Sequence, residues 1–193
     1  AVRASAVFSV AGVVDPRQVR ELLGAPWLGP DEALPSLLKQ GIEDGVIAVG
    51  DNHLREAIGK RLLDLGYRLP AIVHPTANIS PSAQIRAGVV VMAHACVGPL
   101  AVLGDFSIVN TAAIVEHDNS IGIAAHIAPG VALGGSVTIG NRTLVGIGSS
   151  VRPGTSVGQD VVVGAGSTVV TNVPDAVTVV GSPARILRPA EMR

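Results

Sequence analysis

The sequence predicts a β-solenoid, a parallel β-helix of hexapeptide repeats over residues 71–193, behind a small α/β Rossmann-like unit over residues 1–70. Three observations lead there. Every sixth residue from Val73 to Val169 is Val, Ile or Leu, seventeen positions in succession without an insertion. Four residues after each stands a second series, from Ala77 to Val173, small or β-branched everywhere except at Asn119. Charge is sparse over the same stretch, with only seven ionised side chains between Ile72 and Val173.

A helix face repeats at 3.6 residues and a half-buried strand at 2. Neither places one aliphatic and one small residue in every six. A triangular coil does: three hexads close one turn, and coils stack through backbone hydrogen bonds about 4.8 Å apart. The aliphatic residue fills the interior and the small one lets the chain turn the corner. Seventeen hexads make nearly six coils.

The chain before the solenoid follows another pattern. Ala6 to Val14 reads as a short strand ended by Asp15-Pro16. Pro16–Leu23 and Glu32–Gln40 have helical spacing, and Gly45–Gly50 is an apolar run between glycines, the signature of a buried parallel strand. Asn52–Leu65 is an amphipathic helix with Leu54, Ile58, Leu62 and Leu65 on one stripe. This alternation reads as an α/β unit that begins after its first strand.

Composition removes several classes of function. The 193 residues are 48% hydrophobic and 15% charged, which excludes a disordered chain. A net charge of -1 and 2% aromatics leave neither the basic surface nor the stacking platforms that nucleic acid requires. The charge-free stretches Ala87–Gly104 and Asn119–Asn141 carry Gly, Pro, Asn and His in phase with the hexads, which argues against membrane insertion. Arg3 and the apolar run after it lead into Asp15-Pro16 without a small-residue cleavage site, so a signal peptide is not expected. One cysteine, Cys96, excludes an internal disulfide and fits a cytoplasmic protein.

Chemistry concentrates at one place. Two of the four acids between Ile72 and Val173 flank a histidine in Glu116-His117-Asp118, and the only break in the small series, Asn119, follows. Stacking coils needs no such cluster. A carboxylate beside an imidazole favours its protonated form and fixes its tautomer, as a general base requires. Gly134-Gly135 stand one coil later and leave a hollow beside His117. A solvated surface ion cluster is the bland alternative. His53, His74 and His94 have no acidic neighbours. A zinc site from His94, His117 and His126 has spacings of 23 and 9, unlike those of the hexapeptide-fold carbonic anhydrases, so no metal is expected. With no credible Ser or Cys nucleophile, group transfer would be direct.

Asn110-Thr111, Ile114–Asp118, His126–Gly130 and Val179–Arg185 together resemble the bacterial sugar O-acyltransferase family. It includes sialic-acid O-acetyltransferases and N-acetyltransferases of UDP- or GDP-linked 4-aminosugars. The resemblance implies left-handed winding, a cytoplasmic homotrimer and acetyl-CoA lying between adjacent solenoids as co-substrate. It makes His117 the catalytic base and Asp118 the carboxylate that strengthens it, with His126, Gly135, Ile147 and Ala165 on the acetyl-CoA side. Ile147 and Ala165 are separated by three hexads, so they stack on adjacent coils independently of any resemblance. On the acceptor side it points to Asp15 and to Gly50 in the turn Val49–Asn52, and it places an opening strand and a Gly-Gly-His phosphate turn before Ala1. N-acetylation of a nucleotide-linked 4-aminosugar is the expected reaction. O-acetylation of a sugar such as sialic acid and a non-catalytic trimeric binding module remain as alternatives.

Overall fold

The computed structural model describes residues 1–18 and 21–189. All seventeen hexads form the two-residue strands their period demands, from Ile72–Val73 to Thr168–Val169, and the second residue of each is the repeated aliphatic. Strands three hexads apart pair in parallel, as in Ile108–Val109 with His126–Ile127 and Ile114–Val115 with Ala132–Leu133. Three flat sheets result. The first face begins at Ile72–Val73, the second at Asn78–Ile79 and the third at Gln84–Ile85.

Inside the triangle, Val91, Val109, Val115, Ile127, Val145 and Val163 are all 0% exposed. Burying one such side chain stabilises by about 1.5–3 kcal/mol, and its neighbours one coil above and below exclude water from it. At the corners from Gly88 to Gly166, the third residue after the interior aliphatic has positive φ, in a series that includes His94, Leu100, Phe106, Ala112, Asp118 and Ala124. Left-handed backbone costs a non-glycine residue about 1–2 kcal/mol. The conformation aims that residue's N–H at the coil below: Ala112 N donates to Ala93 O at 2.9 Å, Ala124 N to Asp105 O at 2.8 Å. The intercoil bond offsets the local strain, so glycine is not obligatory there.

The N-terminal unit departs from its expected pattern. Helix α1 spans Val2–Ser5, and the expected strand Ala6–Val14 is reduced to β1, Val13–Val14. Within Pro16–Leu23, where the spacing suggests a helix, Glu21–Leu22 forms strand β2 and pairs antiparallel with β3, Ala25–Gly29; residues 19 and 20 lie outside the described residues. The expected helix Glu32–Gln40 is present as a 3-10 turn, Asp31–Ala33, and α2, Leu34–Lys39. The apolar run Gly45–Gly50 forms no strand among the described residues; pairing stops at its start, with an isolated parallel bridge between Asp44 and Arg68. The small sheet is mixed, in the order β1-β3-β2, and no doubly wound parallel sheet of the Rossmann type forms among the described residues.

Helix α3, Asn52–Asp64, forms where expected, capped by Asp51, whose carboxylate accepts from Leu54 N at 2.8 Å. Of the expected stripe, Leu62 is buried and Ile58 and Leu65 are partly buried in the joint, but Leu54 is not. Asn52, Arg55, Gly59 and Leu62 point inward, whereas Leu54 is 51% exposed. The helix lies across a corner of the solenoid, and Gly59 is there because a Cβ would sit 2.7 Å from the Phe106 ring. Ile47, Leu62, Tyr67, Leu69, Phe106 and Ala124 form the joint's own apolar cluster.

Ion pairs clasp this joint from outside. Arg142 donates to both oxygens of Asp160, at 2.7 and 2.8 Å, and to Glu56 on α3 at 3.0 Å. Hydrogen bonding to Arg142 holds the Asp160 carboxyl below its ordinary value. For Glu56, burial acts in the opposite direction, but bonds to Lys60 and Arg142 leave the net shift downward. Carboxyls depressed in the folded state contribute stability above their unfolded pKa and lose it as pH falls. The contribution of these two carboxyls to the melting temperature is therefore expected to be constant above about pH 5 and to be lost below about pH 4, so the fall on the acid side is less steep in Arg142→Gln. A calorimetric pH series on both proteins checks this.

Candidate active site

Where the chain leaves the second face after Ile114–Val115, the corner carries Glu116-His117-Asp118. Asp118 holds the left-handed corner position with φ 58°, which aspartate tolerates better than most residues. Its Oδ2 lies 2.7 Å from His117 Nδ1. An ionised carboxylate can only accept, so Nδ1–H donates and the lone pair is left on Nε2. The two side chains are 57% and 49% exposed, so Nε2 is open to a second molecule. Among the described residues, no ion pair or hydrogen bond engages the Glu116 carboxylate.

Residues on three neighbouring coils shape this corner. In the coil above, the imidazole Cε1 and Nε2 fill the place a Cβ would take at Gly135. In the coil below, a Cβ at Gly98 would lie 2.7 Å from His117 N and 2.8 Å from Glu116 C. Asn119, 1% exposed, donates to Glu116 O at 2.7 Å and to Gly134 O at 3.0 Å, and accepts from Val137 N at 2.7 Å. The one break in the small-residue series thus ties the histidine's own turn to the next coil. Asn119→Ala leaves three buried backbone groups unpaired and is expected to lower the unfolding free energy by about 1–3 kcal/mol, measurable by denaturant titration.

His126 sits elsewhere, on the first face. Asn110 Oδ1 accepts from Thr111 N at 2.8 Å, which turns the Asn110 amide nitrogen toward His126 Nε2 at 3.0 Å. His126 Nε2 is therefore an acceptor and the imidazole is neutral. Burial, and then the positive charge of Arg55, push its pKa down to about 4. It is suited to donating from Nδ1, not to taking a proton at neutral pH.

Ile147 and Ala165 lie on the corner between the first and second faces. They are stacked one coil apart: Gly166 N donates to Ile147 O at 2.8 Å, and Ile147 is 61% exposed. That corner is one whole face away from His117, so a single chain does not bring the two together. His94, the remaining histidine of the zinc alternative, uses its backbone N–H on Thr76 Oγ1. No cluster of three or more metal-ligating side chains occurs among the described residues.

Residues 136–171 match the bacterial transferase hexapeptide family (six repeats). Perosamine N-acetyltransferase from Caulobacter crescentus, solved with CoA and GDP-perosamine, is 41% identical over 96% of this chain and 88% of that one, with a TM-score of 0.93. The acetyltransferase domain of PglB from Neisseria gonorrhoeae is 39% identical over 96% and 90% of the two chains, with a TM-score of 0.92, and has been solved with acetyl coenzyme A. WeeI from Acinetobacter baumannii is 25% identical over 96% and 90%, with a TM-score of 0.81. The chain belongs to the hexapeptide-repeat sugar acyltransferases.

In this acyltransferase, Asp15 follows β1, and its carboxylate is turned back onto its own loop, accepting from Arg17 N at 2.8 Å. Gly50 is exposed, with open space at its α-carbon and its carbonyl accepting from Arg55. Three residues that the sequence motifs did not single out for a role shape the acyltransferase site: Gly98, Asn110 and Arg55. Asn110 lies in a motif that carries the family resemblance, but its link to His126 joins adjacent coils and has no local signature. No helix among the described residues is long and apolar enough to cross a membrane.

Proposed function

We propose that this acyltransferase moves the acetyl group of acetyl-CoA onto the amino group of a nucleotide-linked 4-aminosugar. The observation that carries the reading is the His117–Asp118 pair at 2.7 Å, with its exposed Nε2 set against Gly135. The sugar nitrogen attacks the thioester carbonyl while Nε2 accepts its proton. The C–N bond forms, the C–S bond breaks, and the imidazolium returns the proton to the departing thiolate. Asp118 keeps Nδ1–H bound throughout and stabilises the imidazolium as it forms. Relatives about 40% identical that were solved with CoA, acetyl-CoA and GDP-perosamine support the donor and the acceptor class.

The working unit is a homotrimer. His117 stands on one corner and Ile147 with Ala165 on another, so a groove holding both comes from two adjacent copies. The outward residues of the first two faces support such packing: Val90, Ile108, Leu144 and Val162 on the first, and Ile114, 39% exposed, on the second. The third face presents Gln84, Val102, Ser120, Thr138 and Ser156 and is more polar than the first. The N-terminal unit, with Gly50 and Asp15, is the acceptor side, and His126, Gly135, Ile147 and Ala165 form the donor side. A donor and acceptor of this kind support a cytoplasmic location.

The test is thiol release from acetyl-CoA with GDP-perosamine, UDP-linked 4-aminosugars and free sialic acid. Release with a nucleotide aminosugar is expected. Release with sialic acid alone moves the reaction to O-acetylation. Acetyl-CoA binding without release from any acceptor favours a binding module.

A further inference from the structure

Arg55 is among the most buried residues in the protein, 1% exposed, and no carboxylate hydrogen-bonds it. Its guanidinium has five N–H donors and all five are used. Nε donates to Phe106 O at 2.8 Å, one terminal nitrogen to Val49 O and Gly50 O, both at 3.0 Å, and the other to Asn52 Oδ1 at 2.6 Å and Ala124 O at 2.7 Å. Asn52 in turn donates to Arg142 O at 2.7 Å. Phe106, Ala124 and Arg142 hold the same corner position in three successive coils. All three have left-handed backbone, with φ of 61°, 52° and 57°. A buried cation with no carboxylate hydrogen-bonded to it is expensive, and a well-packed apolar side chain would hold two elements together at least as well. What a planar fork adds is geometry, since five fixed directions set position and rotation together.

We infer that Arg55 is a positioning residue: with Asn52 it pins the Val49–Gly50 turn to the corner carbonyls of three stacked coils and so sets that turn's height along the solenoid. The inference rests on the acetyl-transfer reading, in which this turn meets the acceptor and the coils carry the donor site. His126 lies two residues beyond Ala124 in the clamped coil, so the clamp registers the acceptor turn against a donor-side residue. A misplacement of about 1 Å at such a junction can cost 10²-fold in rate. Burial, and then the charge of Arg55, keep His126 neutral.

The experiment compares Arg55→Lys with Leu62→Ala in the full chain. Lysine keeps the charge, but one ammonium cannot span both the turn and the corner. Leu62, 7% exposed on the same helix, packs in the joint's apolar cluster and makes none of the clamp's side-chain hydrogen bonds. Arg55→Lys is expected to raise the acceptor KM about tenfold or more while the acetyl-CoA KM stays within about twofold, and to quicken amide exchange at residues 49–51 but not in the coils. Leu62→Ala is expected to lower the melting temperature without that split. If Arg55→Lys does not fold, Asn52→Ala removes one end of the clamp and should show the same split more weakly. An equal KM rise in Leu62→Ala at matched melting temperature would overturn the inference, as would unchanged KM and exchange in Arg55→Lys. Wild-type enzyme silent toward every nucleotide aminosugar counts against the proposed function instead, and the exchange measurement then decides the clamp alone.

Discussion

His117→Ala is expected to lower kcat by about 10²–10⁴-fold, the range that a positioned general base supplies, while the acetyl-CoA dissociation constant is expected to stay within about threefold of wild type. The imidazole is exposed and makes one side-chain hydrogen bond, to Asp118. Its removal is therefore expected to leave the coil intact and the stacked Ile147 and Ala165, proposed for the donor side, untouched. Stopped-flow turnover and calorimetric acetyl-CoA binding separate the two quantities. A variant that turns over near the wild-type rate removes His117 from the chemistry, whereas one that also loses acetyl-CoA binding makes it a binding residue.

Gly135→Ala is expected to lower kcat by about 10–10²-fold through misplacement of the base. The added methyl would occupy the space of His117 Cε1 and Nε2. The colliding atoms belong to the free end of an exposed side chain, so the imidazole swings away and the backbone does not move. Swinging away breaks the 2.7 Å bond to Asp118, which sets the tautomer and the direction of Nε2. The melting temperature should change little. Wild-type turnover in Gly135→Ala would show that the imidazole works in another orientation. A large loss of melting temperature would mean that the coil, not the ring, absorbs the clash. Gly98→Ala provides the contrast, because its methyl meets backbone atoms of His117 and Glu116 and must disturb the coil itself.

The solenoid is legible in the sequence because each hexad repeats one local requirement. Val115, Leu133 and Val151 occupy the same interior position one coil apart, and any polar residue there would have to be desolvated without a partner. The Glu116-His117-Asp118 cluster is legible for the opposite reason. In a stretch with seven charges, three ionisable residues in a row serve no purpose in stacking. The N-terminal unit is less legible. Gly45–Gly50 has the composition of a strand but no partner strand among the described residues, and a strand is defined by its neighbour and not by its own residues. The sequence places helix α3 and three of its four stripe residues correctly, but not the side chain the helix buries deepest, Arg55. No hydropathy pattern assigns an arginine to the inside; five acceptors converging from three separate segments do.

From the sequence alone came the period, hence the coil, the stacking of Ile147 under Ala165, and the unusual corner at His117, since each depends only on residues a fixed distance apart along the chain. Tertiary structure decided everything that depends on which corner a residue occupies. It placed His117 and the Ile147 column on different corners of one chain, turned Asn110 onto His126, and brought the carbonyls of Phe106 and Ala124 to Arg55. Those relations join segments up to 69 residues apart. They arise from the triangular cross-section and the angle at which α3 crosses it, and such distances in space have no counterpart in a one-dimensional period.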